Sequence, residues 1–233
     1  MLFPFLQTAA EAVEAVPVQE ELSFSLISMA AKGGWLMLVL LALSIVAIYI
    51  FGKKWWAIRQ AGKIDKNFIK DVDNYLAEGK VRSARALCRR SDTPVARMIE
   101  KGVERIDKPL ADIRIAVENV ANVEVAKLEK GLPALATIAG GAPMIGFLGT
   151  VMGMVQAFFN MAQAGNNIDI TLLSGGIYTA MITTVGGLIV GILAYFGYNF
   201  LTAQVTSLVA KMEAASIEFL DAAQARKDSK NEA

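Results

Sequence analysis

Histidine is missing from this chain altogether, cysteine occurs once and proline six times in 233 residues. Without an imidazole there is no side chain whose charge ordinarily changes near neutral pH. The inventory also holds no metal-ligand cluster and no nucleophile–base pair in a plausible pocket, so the chain is expected to be neither an enzyme nor a holder of metal or cofactor. The lone Cys88 rules out an intramolecular disulfide. Lying beside Arg89 and Arg90 in a predicted helix, it reads as a buried, inert thiol.

Charge is missing more selectively. Between Lys130 and Lys211 about 80 residues carry one charged side chain, Asp169, and a crossing needs about 20 residues, so the run can span a bilayer twice. A third charge-free run, GGWLMLVLLALSIVAIYIFG at 33–52, is bounded by Lys32 on one side and by Lys53, Lys54, Trp55 and Trp56 on the other. Those are the basic and aromatic anchors of a spanning helix. With 55% hydrophobic residues and a mean hydropathy of +0.44, too little polar surface remains to cover such runs in water. Backbone groups inside a bilayer must be satisfied within the protein, and no strand-like alternation is present, so the predicted fold is all-α. It is an integral membrane protein with three transmembrane helices.

Orientation follows from lysine and arginine. Residues 53–130 hold 18 basic and 12 acidic side chains, whereas 1–52 hold one and four. The middle segment is therefore predicted to be cytoplasmic, on the weight of Lys53, Lys54, Arg59 and Lys63 after the first span and Lys127 and Lys130 before the second. This divides the chain into an outer N-terminal arm (1–32), a first span (33–52), a cytoplasmic helical domain (53–130), a second span (131–163), an outer loop without basic residues (164–171), a third span (172–204) and a cytoplasmic helix and tail (205–233). The arm lacks the basic start of an uncleaved signal peptide and reads either as the remainder of a processed precursor or as an amphipathic arm. The basic surplus is explained by topology, so no nucleic-acid partner is expected.

Within the cytoplasmic segment, Gly79 and Pro94 punctuate three short helices, from Phe68, Val81 and Pro94. After Pro109 an apolar pattern through Ile113, Ala116, Val117, Val120 and Val123 meets no breaker before Gly131 and Pro133, so the second span is expected to protrude into the cytoplasm. The third span, unbroken after Gly197, is expected to do likewise through Val205, Leu208, Val209 and Met212.

Small and hydroxyl-bearing residues are the informative ones in the membrane, where close packing relies on Gly, Ala, Ser and Thr. Gly146, Thr150, Gly153 and Ala157 form one stripe on the second span, with Gly149 beside them, and Gly175, Thr179, Thr183, Gly187 and Gly191 repeat every four residues on the third, with Thr184 adjacent. The glycines are assigned to helix packing. The hydroxyls admit two roles: bonding back to their own backbone, which packing alone would explain, or lining a polar pathway at Thr150, Thr179, Thr183 and Thr184. The spans hold no Asp, Glu, Lys or Arg, although proton relays usually use such groups. A titrating carboxylate would therefore have to come from a partner helix.

The segment LPALATIAGGAPMIGFLGTVMGMVQAF at 132–158 and the segment YTAMITTVGGLIVGILAYFGYNFL at 178–201 resemble the second and last spans of the MotA/TolQ/ExbB proton-channel family, and EGKVRSARALCRRSDTPVARMIEKGVERI at 78–106 is similar to its cytoplasmic helices. Three spans fit the ExbB and TolQ branches better than the four-span flagellar stator, and the outer arm tilts the assignment to ExbB. The resemblance implies an inner-membrane homopentamer whose lumen takes helices of an ExbD-like single-span partner, each with a membrane Asp, and whose motion is passed to a TonB-like protein. It also implies pore-facing roles for Thr150 and Thr184. Where many members carry a Glu early in the last span, this chain has Thr179, which again leaves the carboxylate to the partner. Two other readings stay open: a TolQ-like subunit of an envelope-constriction motor, and a scaffold that conducts nothing.

Overall fold

Among the described residues there are seven α-helices and no strand. A computed structural model describes residues 34–164, apart from 64 and 66, and residues 170–232. The outer arm at 1–32 lies outside the described residues, as does most of the expected loop at 164–171.

Helix α1 (Gly34–Ala61) contains the first charge-free run and continues nine residues past it. Nothing from Lys53 to Ala61 breaks a helix: Lys, Arg, Gln and Ala are good formers. Three short helices follow, α2 (Phe68–Ala77), α3 (Val81–Ser91) and α4 (Pro94–Glu104). Gly79, at φ +76, ends α2 in the left-handed region that a glycine enters without strain. The α3–α4 junction turns on Asp92 at φ 35, and Thr93 caps α4 by accepting a bond from the Ala96 amide at 3.3 Å, with Pro94 at the first helical position.

Helix α5 (Leu110–Glu129) and helix α6 (Leu132–Ala164) are separate elements. The expected protrusion of the second span is thus a jointed one. Gly131 sits at φ +96 between them, a backbone conformation that ends one helix and re-aims the next. Helix α7 (Ile170–Glu232) has no such joint: it runs 63 residues, about 95 Å at 1.5 Å per residue, through the membrane and far into the cytoplasmic side. Three stretches, on α1, α6 and α7, are long and apolar enough to cross a membrane.

Helices α2 to α5 close around the C-terminal part of α7, which packs against α2, α4 and α5. Val72 and Leu76 (α2), Cys88 (α3), Met98, Ile99 and Val103 (α4), Ile113 and Val117 (α5), and Met212 and Phe219 (α7) are all buried there. Burial, with Glu100 nearby, pushes the Cys88 thiol up to about 12, so it stays protonated near neutral pH. At the membrane end α1 lies across the α6–α7 pair, touching Gly149 through Leu36 and Gly186 through Met37.

Candidate functional site

The seam between α6 and α7 is built from residues that have almost no side chain. A Cβ on Gly187 would stand 2.6 Å from the Ala142 carbonyl oxygen and 2.8 Å from the Cα of Gly146, and a Cβ on Gly146 would stand 2.9 Å from the Thr183 carbonyl oxygen. Gly153 faces Ala180, and Gly176 faces Ala157, and a Cβ on either glycine would stand 2.7 Å from the methyl opposite. Pro143 sits inside α6, where its ring removes a backbone donor and needs room. Gly191 of α7 supplies that room, since a Cβ there would lie 2.5 Å from the proline ring and 3.0 Å from the Ala139 carbonyl oxygen.

The line of contact on α7 is therefore Gly176, Ala180, Thr183, Gly187 and Gly191. Gly175, included in the four-residue stripe, has nothing within 4 Å of where its Cβ would stand. A helix turns 100° per residue, so steps of four advance 40° each time and carry such a stripe off the contact face within a few turns. The observed steps of four, three, four and four stay on it.

The hydroxyls divide into distinct environments. Thr183 is 2% exposed, donates to the Ala180 carbonyl at 2.7 Å and fills the hollow left by Gly149. Its bond is of the local kind that packing alone explains. Thr150 and Thr184 instead meet across the seam: their Oγ1 atoms are hydrogen-bonded to each other. Thr150 Oγ1 also reaches the Ala180 carbonyl at 3.3 Å and that of Gly146 at 3.4 Å, and Thr184 Oγ1 donates to the Gly146 carbonyl at 3.0 Å. Both side chains are half-buried, and Thr179 is half-buried one turn away on α7. A hydroxyl donates once and accepts twice, so this pair has capacity left to engage a further polar group.

Below Thr184 the same face of α7 carries further polar side chains, set among Leu188, Gly191 and Val209. Thr202 lies 18 residues on, five complete turns, and Tyr195 and Thr206 fall within about 40° of the same azimuth. The Thr202 hydroxyl is buried without a hydrogen-bond partner. These residues lie in the same charge-free run as Thr184, but only the 3.6-residue period puts them on its side of the helix.

Where α1, α4 and α5 meet, a second polar cluster has formed. Glu124, 3% exposed, takes Arg97 Nη2 at 2.6 Å and Lys127 Nζ at 2.7 Å, and Arg97 also holds Asp92 at 2.6 Å. Burial favours the neutral acid, but the bonds from Arg97 and Lys127 outweigh it and hold the Glu124 carboxyl below its usual range. Lys54 of α1 donates to the carbonyls of Lys127 at 3.0 Å and Leu128 at 3.2 Å, closing the end of α5. Burial, with Lys53 and Lys130 nearby, lowers the pKa of Lys54. No spacing in the sequence marked this cluster, because Arg97 and Glu124 are 27 residues apart.

Among the described residues no group of three or more His, Cys, Asp or Glu could hold a metal ion. The family model of the MotA/TolQ/ExbB proton channel family matches residues 90–214, a stretch that includes both paired hydroxyls and the Glu124 cluster. Over 190 residues the chain is 26% identical to a protein of Methanothermobacter thermautotrophicus named as a biopolymer transport protein ExbB homolog, covering 81% of this chain and 67% of that one. It is 35% identical over 98 residues to the biopolymer transport protein ExbB of Xanthomonas campestris, covering 42% of this chain and 38% of that protein. Over 100 residues it is 35% identical to the ExbB protein of Neisseria gonorrhoeae, covering 43% of this chain and 45% of that one.

Proposed function

This chain belongs to the MotA/TolQ/ExbB proton channel family, and from that premise we propose that it is the ExbB-like subunit of a motor in the bacterial inner membrane, driven by the proton-motive force. Its N-terminus would lie in the periplasm and its C-terminus in the cytoplasm. In this proposal five copies form a ring, and an ExbD-like single-span protein inserts a membrane Asp into it. The stored energy passes to a TonB-like protein for import across the outer membrane. The relatives named ExbB support that branch over a TolQ-like role.

The observation that carries the proposal is the Thr150–Thr184 pair. It is the cross-seam hydroxyl contact of the two spans, it sits on a wall without fixed charge, and it is held by bonds that can be exchanged. An interhelical hydroxyl bond in a membrane is worth about 0.6 kcal/mol. Moving one elementary charge through 100 mV supplies about 2.3 kcal/mol. The field on a single proton therefore exceeds the cost of parting the two hydroxyls, so a partner's carboxyl can displace either one, give up its proton and leave. A lysine at either place would clamp that carboxylate instead. From the pair, the polar face through Tyr195, Thr202 and Thr206 offers the route toward the cytoplasm.

The test is Thr150→Ala and Thr184→Val in the intact complex. Each removes about 0.6 kcal/mol of seam energy, too little to prevent assembly, so the oligomer on native mass spectrometry stays unchanged while proton-coupled uptake falls at least tenfold. Wild-type uptake in both variants would refute the proposal and leave a non-conducting scaffold.

A further inference from the structure

Where α1 and α7 run side by side, the seam between them opens outward as a cleft of about 440 Å³. Its walls are apolar and come from both helices, with Ala47, Ile48 and Phe51 facing Val190, Leu193 and Gly197. Gly197 sets its depth: a Cβ there would stand 3.1 Å from the Phe51 ring. One or two turns on, toward the basic end of the spans, the seam opens again as a cleft of about 250 Å³ between Trp55 and Arg59 of α1 and Gln204 of α7. Phe51, Trp55 and Arg59 follow one another at four-residue steps, so the two clefts are successive stretches of one groove.

Arg59 is the charged wall of the second cleft. Arg85, Arg89, Arg97, Lys101 and Lys127 each hold a carboxylate. Among the described residues none comes within ion-pairing distance of Arg59, whose guanidinium lies 5.6 Å from the centre of the Trp55 ring. An unpaired guanidinium, an amide and an indole thus gather at the end of an oily groove, at the depth where Trp and basic residues mark the headgroup layer. A guanidinium fork matches phosphate geometry.

We propose that this groove is a binding site for an anionic glycerophospholipid. One acyl chain lies along Ile48, Phe51 and Leu193, and the phosphate rests on Arg59 with Gln204 beside it. The lipid then acts as a wedge that fixes how α1 sits on α7. Largely apolar lining along the first cleft, with one basic group at the end of the groove, matches an acyl chain carrying an anionic head.

Native mass spectrometry of the full-length protein tests this, with the protein released from nanodiscs of equal phosphatidylglycerol and phosphatidylcholine content. The wild type is expected to retain phosphatidylglycerol about fivefold over phosphatidylcholine, the preference that one basic contact supplies. Arg59→Gln, a change on the exposed surface, brings that ratio to near one. Ser44→Phe, which fills the apolar end, lowers retention of both lipids with helicity unchanged, and Arg59→Gln decides alone if that variant fails to fold. Equal retention by the wild type overturns the proposal, as does an unaltered ratio in Arg59→Gln. Soluble glycerol phosphate bound as well as the lipid would reassign the site to a free phosphate ester. A photoreactive side chain introduced at Leu193 should label lipid, and labelling a second copy of the chain would overturn the assignment.

Discussion

The two ends of α7 are packed by opposite rules. In the membrane it meets α6 through Gly176, Gly187 and Gly191, so closely that backbone touches backbone. Beyond the apolar stretch it meets α4 and α5 through large side chains, with the Phe219 ring lying over Gly102 and against Val117. Solvent explains the difference. Lipid is as apolar as leucine, so helices in it gain nothing by hiding leucine and associate by close approach and hydrogen bonds. In water the same helix gains about 25 cal/mol for each Å² of apolar surface it covers. One end of the rod is therefore thin and smooth, the other bulky and interlocked, and that suits the proposed ring, which would let a partner move at one end while holding its shape at the other.

The sharpest way to break this contrast is to put bulk into the smooth end. Gly187→Leu drives a side chain into the Ala142 carbonyl and Gly146, and overpacking of this kind costs about 3 kcal/mol or more. Membrane-inserted protein should fail to assemble, read by loss of the oligomer band after solubilisation. At the other end Glu124→Ala leaves Arg97 and Lys127 without their shared carboxylate, but both cations keep more than a third of their side chains exposed, so the loss is that of hydrogen bonds to a charged group, about 2 kcal/mol. Hydrogen exchange in α4 and α5 should rise while the α6–α7 seam stays protected. Gly102→Ala pushes against Phe219 and should destabilise the helical bundle by about 2 kcal/mol, seen in the same exchange experiment.

Acid separates the two ends without mutation. The Glu124 carboxyl is held below its usual value in the folded state, so its contribution is complete above the unfolded value of 4.5 and is lost as pH falls through the folded one. Exchange protection of α4 and α5 should therefore decline below about pH 4.5 while the uncharged seam is unaffected, and Glu124→Gln should flatten part of that decline. The smallest effect expected on stability is that of Thr150→Ala, about 0.6 kcal/mol, and it sharpens the comparison because its large effect is reserved for transport.

Much of the fold was legible because punctuation and solvent act locally. Gly79, Pro94, Pro109 and Gly131 stop or start helices through their own backbone constraints, and charge-free runs declare the spans. What lay hidden depends on azimuth and on distance in sequence. Thr183 and Thr184 are neighbours in sequence, yet 100° on a helix puts one under Gly149 and leaves the other to meet Thr150. A strict four-residue rule included Gly175, whereas the contact uses Gly176. The bridge from Arg97 to Glu124 required knowing that α4 and α5 lie side by side, which no pattern in either helix announces.

Helix α7 has no glycine or proline after Gly197. It thus lacks any place to bend from Tyr198 to the charged tail, and behaves over that length as a stiff spoke. A slight tilt imposed at Tyr198 is magnified with distance and delivered at Phe219 as a displacement of the whole helical bundle around it, so whatever docks at the far end can sense an event within the bilayer without any signal passing through loops.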